Sequence, residues 1–478
     1  MTTYVDTHTH ASSVASGIET TTTTYLRTYV DADVITELFV GTIWTVPTGT
    51  TLIDGGAAPY NAVQPGDIIE LEPGARAPLT IRDLAGSARY PILIQNGDGD
   101  VVINSATGWF GILIMNCQYF RLTGTGWGRT YGINIARSQT NGIIFLYKTD
   151  NFEFDSIEIN RVDNTPPGYS IGIQGQTNTT AVPDYDYDLD GDVDVDDGIV
   201  TRANYTAHNY HIHNILIDGG LGLNQIDMGM YLGNANWVNG DGGVFYPEVH
   251  GLYVHDNIIR NITHKAIKMG SATENAYCYN NTLTNINQSV YVASGKSGIE
   301  MNPGCFNAKV YNNKIIDSPC GFGINLRCEG AVCYNNLLVR CGDPATSYNA
   351  GINLNYPGGY TYTNGIYIFN NTIIDPDNNG IEDSNGFGVD SKCQNNIIVN
   401  PGNNYTNLIN YTTDHNLETM TIADVKFTDE ASDDYSILTD SPAKDAGINV
   451  SIEGVVDDIV GTARPQGAEY DIGAYEFI

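Results

Sequence analysis

Three stretches of this 478-residue sequence combine residue types and spacings that suit chemistry. In "DYDLDGDVDVDD", Asp186, Asp188, Asp190, Asp192, Asp194 and Asp197 stand at places 1, 3, 5, 7, 9 and 12, with Gly191 at place 6. That is the spacing of an EF-hand loop, with glycine at the sharp turn, so the stretch is expected to bind Ca2+. The alternative is an acidic loop whose crowded carboxylates no cation relieves. A second group comprises Tyr231 in "GMYLGN", Lys268 in "AIKMGS", Glu300 and Asn302 in "GIEMNP", Asn325 and Arg327 in "GINLRC", and Asn353 in "GINLNY". Laid on neighbouring strands, these residues form one patch of cations, a carboxylate and carboxamides. The third stretch, 233–251, carries Trp237, Phe245 and Tyr246, whose rings are candidates for stacking on a sugar, with packing onto the fold as the alternative.

The patch exists only if the segments stack, and an internal repeat makes them stack. "VHDNIIRN", "YNNTLTN", "YNNKIID", "YNNLLVR", "FNNTIID" and "QNNIIVN" place Asn257, Asn281, Asn313, Asn336, Asn371 and Asn396 at equivalent positions. A period of this size marks a solenoid. The units are too rich in glycine, asparagine and β-branched residues for paired helices, and "NNTIID" and "GINLN" alternate with the strand period of two. A coil of parallel strands is expected, with the recurring asparagines as structural bend residues that stack on their own copies. In the six-residue frame the second place faces the core and the third faces out. The outward column then reads Leu113, Asn134, Gln174, Tyr231, Lys268, Glu300, Asn325, Asn353 and Glu382, with Asn302, Arg327 and Asn355 two places further along.

With "VQPGDIIELEPGARAPLTI" and "YPILIQNGDGDVVI" near the start and "VGTARPQGAEYDIGAYEF" at the end, the chain resembles the right-handed parallel β-helix proteins of the pectate lyase-like superfamily. Within it, the alginate lyase and chondroitinase B branch is the nearest in pattern, and phage tail spike β-helices are also similar. The resemblance implies an all-β, single-stranded right-handed parallel β-helix over residues 38–430, interrupted by a calcium loop at 181–204. A Thr-rich arm or cap at 1–37 and a closing segment at 431–478 flank it. The aspartate loop itself looks like a single dockerin repeat, but with aspartate at place 12. The branch also implies β-elimination of a uronate polymer, with Lys268 and Arg327 as the basic pair and Glu300, Asn302 and Asn325 near a calcium ion that meets the sugar carboxylate. From their chemistry and their place beside the patch, Tyr231, Trp237, Tyr246, Asn302, Asn325 and Asn353 are the candidate sugar contacts. The same coil also carries hydrolases, epimerases and non-enzymatic spikes. Three readings therefore stay open: lyase, hydrolase, or glycan binding alone, the last with a homotrimer or virion partner attached through the arm. The bland reading of Lys268 and Glu300 is an exposed cross-strand ion pair.

Composition narrows the partners. A formal charge of −33 repels phosphate backbones and anionic lipid, so nucleic acid and membrane insertion are not expected. The eight cysteines show no CxxC pair and fall in the repeated segments, as buried free thiols do. No export signal or apolar span is legible, although an acidic or complex polysaccharide substrate implies work outside the cell or on a virion. Glu300 and Glu382 lie three coils apart, about 14 Å at the strand spacing, too far for a glycosidase pair. Asp227, Asp241 and Glu248 remain as second carboxyls. His211 and His213 share a strand face without an evident third metal ligand.

Overall fold

The computed structural model describes residues 12–15, 18–28, 36–104, 109–137, 141–160, 170–175, 201–220, 228–234, 237, 245–288, 296–343, 349–355, 363–383, 386 and 390–478. The aspartate loop, Asp186 to Asp197, lies outside these residues, as do Asp227 and Asp241.

Each turn of the chain lays one strand into each of three long sheets, the first of 15 strands and the second and third of 12 each. The antiparallel strands Ser12–Ala15 and Ile18–Thr28 join the first sheet beside Thr36–Val46, and every later pairing in the three sheets is parallel. This is a right-handed parallel β-helix, the hand that parallel crossovers take. Among the described residues there is no α-helix, and no helix is long and apolar enough to cross a membrane.

The Asn-Asn pairs explain the bend between the first and second sheets. The first asparagine takes a left-handed backbone: φ is 55° at Asn280 and Asn312, 52° at Asn335 and Asn370, and 60° at Asn395. Asparagine tolerates this conformation better than other residues with a Cβ. The second asparagine is buried and bonds to its copy in the next coil. Asn281 Nδ2 donates to Asn313 Oδ1 at 3.0 Å, Asn313 Nδ2 to Asn336 Oδ1 at 3.0 Å, and Asn336 Nδ2 to Asn371 Oδ1 at 2.9 Å. The ladder continues through Asn396 to Asn416 and also accepts the backbone N–H of each preceding asparagine.

Inward residues form one continuous apolar core along the coil, aliphatic for most of its length and aromatic where Phe120, Phe145, Phe152, Phe154 and Tyr210 meet. All eight cysteines are free and seven are buried, as the sequence suggests. Burial pushes the Cys117 thiol up to about 12, so it is inert at neutral pH.

In the third sheet, six successive pairings from Phe110–Met115 to Phe322–Leu326 skip one position, as where Ser297 pairs with Phe322 and Ile299 with Ile324, with Gly298 and Gly323 between them. At Gly298 a side chain does not fit as the backbone stands, because a Cβ would sit 2.6 Å from the Gly323 carbonyl oxygen. Outside the first sheet, the rings of His213, His255, Tyr279, Tyr311 and Tyr334 stack in sequence at 4.6 to 4.8 Å between centroids. The closing segment covers the far end of that stripe with Val450, Val455 and Tyr470. A buried ion pair, Arg464 to Glu476 at 2.8 Å, holds the segment together.

Candidate functional site

The site lies on the outer face of the third sheet, where Lys265–Met269, Ser297–Met301 and Phe322–Leu326 run side by side. Pairing places Tyr231 beside Lys268, Lys268 beside Glu300, Glu300 beside Asn325, Asn325 beside Asn353 and Asn353 beside Glu382. The ladder runs on past these strands, since Asn302, Arg327 and Asn355 each donate a backbone N–H to the coil before. The outward column read from sequence therefore stands from Gln174 to Glu382, with one correction above it. Asn134 belongs to the second sheet, where its Nδ2 donates to Glu158 at 2.8 Å, and Ile144 fills its place in the column. Leu113 and Ile144 are buried in an outer apolar cluster with Met115 and Tyr147, against which Tyr205 packs.

Glu300 is not the solvated half of an exposed ion pair. It is 1% exposed, and its partner is Lys265, whose Nζ lies 2.8 Å from both carboxylate oxygens. Arg327 Nη1 stands 3.9 Å from Oε1, and Asn325 Nδ2 donates to Oε2 at 3.4 Å. Burial alone would raise the Glu300 pKa, but Lys265, Lys268 and Arg327 outweigh it and hold the carboxyl at about 2. The same burial lowers the pKa of Lys265 and of Lys268, against the pull of Glu300. Lys268 sits with its ammonium 4.2 Å from the centre of the Tyr231 ring. Arg327 Nη1 donates to Asn302 Oδ1 at 3.2 Å and its Nε to the Asn355 carbonyl at 3.3 Å. Asn353 Nδ2 donates to Asn325 Oδ1 at 3.0 Å, which orients the Asn325 amide toward Glu300. Asn302 is buried, and its Nδ2 has no partner among the described residues.

Lys268, Arg327, Glu300, Tyr231, Asn302, Asn325 and Asn353 are thus brought together, whereas Trp237 and Tyr246 are not available as a sugar-stacking wall. Trp237 is 8% exposed. The Arg202 guanidinium lies 3.3 Å from the ring centre, Phe306 meets the ring edge-on, and Gly304 is so close that a Cβ there would lie 2.6 Å from the ring. Tyr246 is buried as well. Trp237 thus packs on the coil at Gly304 and Phe306. Glu248 stands on the Glu248–His255 strand of the first sheet, where it meets Thr273, His250 and Arg202.

Parity hides Lys265 from a period-two reading, since it shares the phase of the inward Ile267 and Met269. The ladder position after it is the one pairing skips, and that irregularity resets the alternation. Its signal in the sequence is Ala266, which stands where the neighbouring coils carry Gly229, Gly298 and Gly323.

A calcium ion held by Glu300, Asn302 and Asn325 does not fit these residues. An ammonium already occupies the carboxylate, and two further cations face it. A separate cluster on the first sheet supplies the carboxylates that His213 lacks in the sequence: Glu153, Asp155 and His213 hold ligand atoms within 4.8 Å of one another. Arg121 Nε lies 2.7 Å from Asp155 and 3.3 Å from Glu153, so a protein cation balances this group too. Burial and the neighbouring His255 hold His211 neutral, down at about 4.

No family model matches the sequence, and no curated protein matches it. Among solved structures, the GH136 lacto-N-biosidase from Eubacterium ramulus is similar at 12% identity over 75% of this chain, with a TM-score of 0.41; this chain spans 63% of that one. An alginate lyase from Paenibacillus sp. str. FPU-7 is similar at 16% identity, over 78% of this chain and 99% of that one, with a TM-score of 0.39. Pectate lyase Pel9A is similar at 11% identity, over 91% and 97%, with a TM-score of 0.38. A likeness at this level transfers no residue's role.

Proposed function

We propose that the Lys268–Arg327 face binds the uronate units of an acidic polysaccharide and cleaves the polymer by β-elimination. The observation that carries this reading is the charge of the site. Among the described residues, Lys265, Lys268 and Arg327 face one carboxylate, Glu300, in a chain of net charge −33. Two positive charges remain unbalanced at a half-buried surface, which suits an anionic ligand.

The chemistry follows from what each group can do. Arg327, held by Asn302 and the Asn355 carbonyl, neutralises the uronate carboxylate and so acidifies the proton at C5. Lys268, whose pKa burial and Arg327 lower, gives up its own proton more easily than an exposed lysine, and in its neutral form it takes the C5 proton. The C5–H electrons form the C4–C5 double bond, the C4–O bond breaks, and the new lysinium returns the proton to the leaving oxygen. Among the described residues, Glu300 is the carboxylate of this face, and at about 2 it stays ionised and does not serve as the acid of a hydrolysis. A substrate of this kind favours work outside the cell.

The test is incubation with a panel of polyuronates while following the ultraviolet absorbance of the unsaturated product. Product formation that Lys268→Ala and Arg327→Ala each abolish is the expected result. Retention of polyuronate without product would reduce the function to binding, and full activity in either variant would place the chemistry elsewhere.

A further inference from the structure

Lys268 stands between two neighbours in the third sheet, Tyr231 on the strand before and Glu300 on the strand after. A lysine beside a carboxylate ordinarily pairs with it, yet Lys268 makes no ion pair among the described residues. Its ammonium lies instead 4.2 Å from the centre of the Tyr231 ring. The reason is Lys265, whose Nζ reaches both oxygens of Glu300 at 2.8 Å in a position where both residues are buried. Ser297 Oγ and Asn325 Nδ2 flank Oε2 at 3.5 and 3.4 Å, and Arg327 stands 3.9 Å from Oε1. A carboxylate enclosed in this way has little left to offer a second lysine. We propose that Lys265 is a positioning residue for the base: by taking Glu300 it keeps Lys268 out of an ion pair, on the Tyr231 side, where Lys268 can release its proton to solvent. The catalytic meaning of this rests on the lyase reading above; the placement of Lys268 does not.

Competing charges explain why the placement matters. A carboxylate free to pair with a lysine holds the proton on it. The titratable and charged groups facing Lys268 are Tyr231 and Glu300 from the adjoining strands, Arg327 from beyond the next strand, and Lys265 from its own. Burial and Arg327 disfavour the Lys268 ammonium, and Glu300 is the one anion that favours it. Lys265 offsets that anion through Glu300, and the Tyr231 ring attracts an ammonium less strongly than a carboxylate would. Without Lys265, the carboxylate next to Lys268 in the ladder would be open to it.

The experiment follows modification of Lys268 by a small amine-directed acylating reagent across pH, read on its peptide by mass spectrometry. Wild type, Lys265→Met, Lys265→Arg and the double variant Lys265→Met/Glu300→Gln are compared. Only the neutral amine reacts, so the curve reports how readily Lys268 loses its proton. In Lys265→Met the curve is expected to move to higher pH, with labelling on its rising limb at least about tenfold slower, the effect of one carboxylate released beside a lysine. Lys265→Arg should keep the wild-type curve, and the double variant should return to it, since no carboxylate remains to capture Lys268. Unchanged or faster labelling in Lys265→Met would overturn the proposal. So would a slowing that persists in the double variant, which is what a merely structural lysine would give. If Lys265→Met does not fold, Lys265→Gln, which keeps a donor but not the charge, gives the same comparison. Cleavage of a polyuronate is followed in parallel, and the rising limb of kcat/KM should shift with the labelling curve. If wild type cleaves no polyuronate, the lyase reading fails alone and the labelling still decides this inference. Cleavage whose pH profile is the same in wild type and Lys265→Met overturns the inference alone.

Discussion

Removing Glu300 should damage the coil more than removing its partner Lys265. Breaking a buried ion pair from one side costs about 3–5 kcal/mol, because the other charge is left buried and unpaired. The two sides differ here. In Lys265→Met the Glu300 carboxylate keeps Arg327 at 3.9 Å and the Asn325 amide at 3.4 Å, which sets the cost near the lower bound, about 3 kcal/mol. In Glu300→Gln, Lys265 is stranded in a buried position, and three cations repel one another with no anion between them, which sets the cost near the upper bound, about 5 kcal/mol. Because a solenoid's coils depend chiefly on their neighbours, the loss should be local. Hydrogen exchange of amides in Lys265–Met269, Ser297–Met301 and Phe322–Leu326 is the suitable assay. The expected gap of about 2 kcal/mol corresponds to roughly 30-fold faster exchange in Glu300→Gln than in Lys265→Met. Equal exchange, or the reverse order, would refute the picture of one carboxylate organising three cations.

Other expectations test the remaining parts. Asn313→Ala removes the acceptor of Asn281 Nδ2 and of the Asn281 N–H, together with the donor to Cys278 O, and should cost at least about 3 kcal/mol in denaturant titrations. Asn312→Gly, at φ 55°, should by contrast be nearly neutral. The depressed pKa of Glu300 adds stability that is fully present above its unfolded value near 4.5 and is lost as pH falls toward about 2. The melting temperature should therefore drop across that window in wild type and much less in Glu300→Gln. Chelator should lower the melting temperature through the Asp186–Asp197 loop; an unchanged melt together with no bound calcium would show that the loop is merely acidic.

The coil was legible because its demands recur. A left-handed bend followed by a buried, self-pairing amide selects Asn-Asn in coil after coil, and strand parity then assigns Ile299 and Met301 inward and Glu300 outward. Parity says which face a residue takes but not what covers that face, so Glu300 reads as solvated although it is buried. It also fails where the ladder skips a position, which is why Lys265 goes unseen and the pairing is assigned to Lys268. The rings of Trp237 and Tyr246 carry no sign in the sequence that Arg202 and Gly304 would cover Trp237. Asn134 reads into the wrong column because "GINIAR" imitates the third-sheet frame while lying in the second sheet.

The central claim is that two unbalanced cations on the third sheet select a carboxylate. Calorimetric titration of the wild-type protein with a polyuronate and with the methyl ester of the same polymer tests it most directly, since the two differ chiefly in that charge. The account predicts that the polyuronate binds, that salt weakens it, and that the ester binds at least about tenfold more weakly. Equal affinity for the two polymers would contradict it.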